Sequence, residues 1–130
     1  MKIFFKTKKT EKPKTNGKHS NKKVGDYGEK LALRYLKRHG YKIVTTNYKI
    51  RGGEVDIIAR DGMFLVFVEV KYRSNTLYGF PSEAVEYHKQ NKIRMVASQY
   101  ILAHPEENDL IRFDVVQIID KKIELFKSAF

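Results

Sequence analysis

Apolar residues recur at three- and four-residue spacing through Val24, Tyr27, Gly28, Leu31, Ala32, Tyr35 and Leu36, which predicts an amphipathic helix ending near Gly40. The pattern then changes. Tyr41 to Ile50 is rich in β-favouring residues (Val44, Thr45, Thr46, Tyr48) and reads as a strand. Two more strands follow, Gly53 to Ala59 and Phe64 to Lys71, separated by Asp61-Gly62. Arg73 to Phe80 reads as a loop. Pro81 suits the first turn of a second helix, with Glu83 near its N-terminus. Ala84, Val85, Ile93, Val96, Ala97, Tyr100 and Ile101 form its apolar stripe, and His104-Pro105 ends it. Ile111 to Ile119 and Lys122 to Phe126 read as strands. The order is α-β-β-β-α-β-β. The first three strands form an antiparallel meander, and the second helix is a crossover that sets the fourth strand parallel to the third. The expectation is a mixed α/β sheet with helices on its faces.

The central hairpin departs from a simple core pattern. A turn centred on Asp61-Gly62 sets Glu54 opposite Glu69 and Asp56 opposite Phe67. Period-two alternation sends Glu54, Asp56, Glu69 and Lys71 to one face, together with Ile58, Leu65 and Phe67. Val55, Ile57, Phe64, Val66, Val68 and Val70 take the other. Apolar residues on both faces indicate a sheet covered on both sides. Ionised groups in such a place need partners or a metal, and like charges facing one another across a sheet are destabilising. A bound cation is the chemistry that suits this set; a solvated Glu-Val-Lys edge and a turn-side Asp are the structural alternative.

Composition narrows the classes. One domain fits 130 residues. With no cysteine, disulfides and thiolate zinc sites are excluded, and His19, His39, His88 and His104 are too scattered for a histidine metal motif. No apolar run has the length of a transmembrane helix, so a cytoplasmic protein is the default expectation. The formal charge is +11, and residues 1–23 alone carry nine Lys against one Glu. That segment, poor in residues to bury, reads as a disordered tail, with the domain proper over 24–130. It is either a nucleic-acid arm or a solubilising leader.

Two further charged residues are ambiguous. Glu29 sits at the margin of the first helix's stripe and either reaches the acidic hairpin face or pairs with Lys30 or Arg34; helix geometry favours the surface pairing. Lys89 falls inside the second helix's stripe and either snorkels to solvent or points to the acidic face and a bound phosphate. Arg112 and Asp114 alternate onto one face of the fourth strand and read as a structural ion pair.

Asp56, an apolar strand, then Glu69-Val70-Lys71 resembles the PD-(D/E)xK signature of restriction-endonuclease-like nucleases. No Pro precedes Asp56; Val55 stands there. More narrowly, GDYGEKLALRYLKRHGY, NYKIRGGEVDIIA, VFVEVKYR and IRFDVVQI, over residues 24 to about 126, resemble the bacterial YraN-type family of uncharacterised endonuclease-like proteins. That family is similar in motif layout to archaeal Holliday junction resolvases. The resemblance implies a restriction-endonuclease-like fold, with Asp56 and Glu69 as Mg²⁺ ligands (Mn²⁺ as substitute) and the Val70 carbonyl as a third. It implies Lys71 beside the attacking water, and Glu29 as an additional ligand or water holder. Arg73, Lys89 and Arg51 are candidates for contact with nucleic acid. The expected activity is Mg²⁺-dependent hydrolysis of DNA, branched DNA or Holliday junctions included, and junction cleavage would favour a homodimer. The competing readings are a non-catalytic nucleic-acid-binding protein of the same fold and a basic ribosome- or RNA-associated protein.

Overall fold

The computed structural model describes residues 18–73, 85–107 and 110–130, with side chains detailed from residue 25 except at 107. The elements are α1 (Lys18–Arg38), β1 (Lys42–Ile50), β2 (Gly53–Asp61), β3 (Phe64–Arg73), α2 (Tyr87–Ala103), a 3₁₀ turn (Pro105–Glu107), β4 (Leu110–Ile119) and β5 (Lys122–Phe126). The five strands form one sheet in the order β1-β2-β3-β4-β5. Every neighbouring pair is antiparallel except β3 and β4, which run parallel through the α2 crossover. The meander, the crossover and the mixed sheet are those the periodicity predicts.

Each face of the sheet has its own helix. Leu31, Ala32, Tyr35 and Leu36 of α1 pack on Ile57, Ala59, Val66, Val68, Val116 and Ile118. On the other side Ile93, Val96, Ala97 and Tyr100 of α2 cover Val55, Ile58, Leu65, Phe67 and Val115. Burial on both sides explains the near-continuous apolar runs of β3 and β4. The end of α1 is also written locally. Gly40 has φ +85°, its N–H donates to the Lys37 carbonyl, and the Tyr41 N–H reaches back to the Leu36 carbonyl. This αL termination places Tyr41 in the core at the start of β1.

Several expectations shift. α1 starts at Lys18, six residues before the Val24 at which its apolar pattern begins; residues 1–17 of the expected tail lie outside the described residues. The start of the second helix at Pro81, with Glu83 and Ala84, likewise lies outside them. α2 is described from Tyr87, and Val85 and Glu86 are not helical. Gln90 donates from its side chain to the Val85 carbonyl and from its backbone to the Glu86 carbonyl, which fixes this non-helical entry with Val85 buried.

The hairpin register differs by two residues from the sequence expectation. Asp61 pairs with Phe64, so the turn is Gly62-Met63 rather than Asp61-Gly62, with Gly62 at φ +58°. Asp61 is held in the ladder because its carboxylate accepts from Arg112 (2.8 Å) and Lys127 (3.2 Å). A two-residue slip keeps Ile57, Ile58 and Ala59 on their expected faces, and it brings Asp56, not Glu54, to the end of the ladder beside Glu69 and Val70. Glu54 is instead exposed and lies 3.8 Å from Lys49.

The Arg112–Asp114 pair is structural, as expected, and larger than a pair. Asp114 is fully buried and accepts from Arg112 (2.8 Å), the Tyr41 hydroxyl (2.9 Å) and the Ser128 N–H (3.0 Å). The Arg112 guanidinium also reaches the Tyr41 hydroxyl and Asp61.

Candidate active site at the splayed end of the central hairpin

Strand β2 loses its regular alternation at Asp56. Ile57 and Ala59 face α1 and Ile58 faces α2, yet Val55 also packs on the α2 side, not with Ile57 as strict alternation requires. The physical reason lies in the ladder. Described pairing of β2 with β3 ends at Ile57–Val68, and beyond it the Val70 N–H donates to the Asp56 carboxylate at 2.8 Å. A side chain thus takes a hydrogen bond in the position of a strand neighbour. On the opposite edge, Thr46–Ile57 and Tyr48–Val55 bracket Asn47 and Asp56. Asn47 adopts φ +51°, a conformation that Asn tolerates better than most residues, and donates its amide to Glu29 at 2.8 Å.

Four of the predicted site residues converge here. Glu69 is 3 % exposed. Its Oε1 lies 2.6 Å from the Lys89 ammonium and 3.7 Å from that of Lys71. Lys89 therefore points to the acidic face instead of snorkelling to solvent. Burial and the neighbouring Glu69 push the Asp56 carboxyl up from 3.8 to about 7, against the lowering effect of the Val70 N–H. Burial and the Lys89 charge lower Lys71. Burial opposes the charge on Lys89, but Glu69 and Asp56 prevail and raise it. Glu29 is raised by burial and by Asp56, so it belongs to the same electrostatic cluster; its hydrogen-bond partner is Asn47 rather than the surface bases Lys30 or Arg34. α1 comes close enough for this because Gly28 has no side chain: a Cβ there would lie 3.1 Å from the Tyr72 Cβ on β3.

Arg73 ends β3 near enough to Lys71 to act on its charge. Arg51 is exposed in the β1–β2 turn, apart from the carboxylates. A cavity of about 570 Å³ opens beside the cluster, with Lys49, Glu54, His88, Lys89 and Lys92 on its wall. Asp56 and Glu69 do not line it; Lys89 joins the two. Two residues at the site carry no prediction from the sequence, Asn47 and Gln117. Their signals were a turn-forming Asn inside a β-favouring run and a lone amide within Val-Val-Gln-Ile-Ile.

The donor set suits a small hard cation. Mg²⁺ takes one or two carboxylates and completes its shell with water and substrate oxygens. Asp56 and Glu69 are the carboxylates that could form such a pair, and their mutual repulsion is what a cation would relieve. Among the described residues no cluster of three or more acidic, His or Cys side chains holds a metal-binding arrangement.

The raised Asp56 carboxyl, pushed up first by burial and then by Glu69, predicts a pH effect. Between about pH 4 and pH 7 folded Asp56 keeps a proton that the unfolded chain has released, so metal-free protein loses stability as pH rises through that window. The loss is on the order of a few kcal/mol and complete above the folded value. With EDTA present, the melting temperature of wild type is expected to fall more from pH 5 to pH 8 than that of Asp56→Asn. At pH 8, Mn²⁺ at a hundredfold excess over Kd restores about 2.7 kcal/mol to wild type and less to Asp56→Asn. Parallel pH curves for the two proteins would refute the raised Asp56 value.

No helix among the described residues is long and apolar enough to cross a membrane. Residues 28–118 match the model of the uncharacterised protein family UPF0102. The chain is 51 % identical over 116 residues to a UPF0102 protein of Alkaliphilus oremlandii, an alignment that takes in 85 % of this chain and 99 % of the relative. It is 45 % identical over 113 residues to one from Clostridioides difficile (85 % and 99 % covered) and 43 % identical over 119 residues to one from Clostridium botulinum (86 % and 97 %). With a site assembled from the same segments that carry this similarity, the chain belongs to the UPF0102 family.

Proposed function

We propose that this protein is a divalent-metal-dependent nuclease that hydrolyses phosphodiester bonds in DNA, branched DNA included. The observation that carries the reading is the convergence of Asp56, Glu69, Lys71 and Lys89 at the point where β2 splays from β3. A buried and a part-buried carboxylate that repel one another beside a polyanion are a liability for a protein that only binds it. A cation held by Asp56 and Glu69, with the Val70 carbonyl next to them, would supply Lewis-acid polarisation of the phosphoryl oxygen and a more acidic water. Lys71, half-buried and lowered in basicity, is suited to orient that water or take its proton and to face the charge that develops on phosphorus. Lys89 and Arg73 hold non-bridging phosphate oxygens. Glu29, fixed by Asn47, orients water on the α1 side.

Cleavage of linear, flap and four-way DNAs with Mg²⁺ or Mn²⁺ tests this, with Asp56→Asn as the control. Metal-dependent products from wild type alone are expected, and a substrate of two-fold symmetry would be matched by a homodimer in solution. The competing reading, a binder of the same fold that does not cleave, has one observation in its favour: Glu69 is already neutralised by Lys89 at 2.6 Å. Intact DNA at every metal concentration, with binding retained, would favour it.

The Lys-rich segment enters as a nucleic-acid arm. Because α1 begins at Lys18, truncation should stop at residue 17, which removes six Lys and one Glu and spares the helix. The shortened protein is expected to bind DNA of any sequence more weakly, with a salt slope reduced by about 0.9 for each phosphate that the arm neutralises. Cleavage at saturating protein should survive. Fluorescence polarisation across a salt series measures the slope; an unchanged slope would make the segment a leader only.

A further inference from the structure

Strand β4, between β3 and the edge strand β5, ends as Val115-Val116-Gln117-Ile118-Ile119. Gln117 is 7 % exposed, and its side-chain oxygen has no hydrogen-bond partner. A buried acceptor left unmet carries an uncompensated desolvation cost, and such groups in folded proteins call for an explanation. Its position supplies one. Gln117 is the direct β4 neighbour of Lys71, in a parallel pair whose side chains project from the same face. Val115, two residues before it, packs with Leu65 and Phe67 on the α2 side, so Gln117 emerges on the face that carries Glu69 and Lys71. Its β5 neighbour Glu124 lies 3.4 Å from Lys122.

Lys71 is one acceptor short once Glu69 is engaged elsewhere. Its ammonium faces Glu69 Oε1 at 3.7 Å, and Lys89 already holds that oxygen at 2.6 Å. We infer that Gln117 is the positioning residue for Lys71, its amide oxygen accepting a hydrogen bond from the Lys71 ammonium when Glu69 turns its carboxylate to a divalent cation. This rests on the nuclease reading above and assigns a residue that the motif does not contain. A neutral amide oxygen is the suitable partner. It fixes the ammonium's direction without adding a third negative charge beside Asp56 and Glu69, and it leaves the remaining N–H groups of Lys71 for water and phosphate.

The test uses the full chain with ¹³C-labelled Gln and Glu side chains and a Mg²⁺ titration followed by NMR. The Gln117 carbonyl carbon, assigned by its loss in Gln117→Leu, is expected to move with Mg²⁺ in wild type and to stay in place in Lys71→Met. A Gln117 signal that stays in place while the Glu69 carboxyl carbon moves would overturn the inference and leave the metal reading intact. If neither carbon moves, the metal reading fails and the inference with it. Cleavage supplies the second arm. Gln117→Leu, close in volume, should melt no lower than wild type, since it removes an unmet polar group. It should lose about tenfold in kcat with KM unchanged, and Gln117→Glu, which restores an acceptor, should recover part of that loss. Wild-type kcat in Gln117→Leu would reduce Gln117 to a buried amide with no part in the chemistry.

Discussion

Asp56→Asn, Glu69→Gln and Lys71→Ala are each expected to lower metal-dependent cleavage by about 10²–10⁴-fold with DNA affinity little changed. The three act at one point but through different atoms. Asp56 is fixed by the Val70 N–H at 2.8 Å, so an Asn there keeps much of the shape and loses the charge that a cation needs. Glu69 is the most buried of the carboxylates in the cluster and the shared partner of two lysines. Its replacement by Gln removes one of the two proposed metal ligands and also frees Lys89 and Lys71 to repel one another. Lys71→Ala leaves both carboxylates in place, so Mn²⁺ binding should persist while turnover is lost. Single-turnover cleavage with labelled DNA, together with binding measured in Ca²⁺, separates these cases. Wild-type rates in Asp56→Asn would remove the proposed site, and lost binding in all three variants would point to a fold defect instead.

Asp114→Ala is expected to cost about 3–5 kcal/mol of stability, the range for breaking a buried ion pair from one side. Asp114 is wholly inside and accepts hydrogen bonds from Arg112, Tyr41 and the Ser128 backbone. Its loss strands a guanidinium that is 9 % exposed and leaves Asp61 to balance it. Those hydrogen bonds tie β1, the β2–β3 turn, β4 and the segment after β5 into one unit, so the penalty is global. It is a large share of the roughly 5–15 kcal/mol that holds a domain of this kind together. Asp114 is the first cause that raises Arg112; without it the guanidinium is still too basic to lose its proton, so Arg112 stays charged and cannot relieve the defect. Replacing the group together, Arg112→Met with Asp114→Leu and Tyr41→Phe, should recover most of the loss. Urea unfolding of the single and triple variants measures this, and equal destabilisation of both would show that the network contributes more than the mutual neutralisation of its charges.

The sheet order was readable because each element is set by local spacing. Leu31, Tyr35 and Leu36 fall on one side of a 3.6-residue helix, and Phe64 to Val70 alternate between two covered faces. The crossover also followed from length, since only a long connection can return β4 parallel to β3. The closeness of Asp56 to Glu69 and Val70 was not readable. Asp61-Gly62 is as good a turn signal as Gly62-Met63 from sequence, and the choice is made by Arg112 and Lys127, fifty-one and sixty-six residues away, which hold Asp61 in the strand. Lys89 and Glu29 were ambiguous for a related reason. A helix wheel states which side a residue occupies, but not what the opposing layer places in front of it.

By itself, then, the sequence determined the layers, the strand order and the candidacy of Asp56, Glu69 and Lys71, because hydrophobic period and turn chemistry act over a few residues. Only the tertiary structure decided that β2 breaks its alternation at Asp56, that Lys89 neutralises Glu69 and that Gln117 stands beside Lys71 without a partner. Each of these depends on backbone and side-chain groups brought together from separate strands and helices. Hydrogen bonding and charge compensation at such distances leave no period in the chain to read.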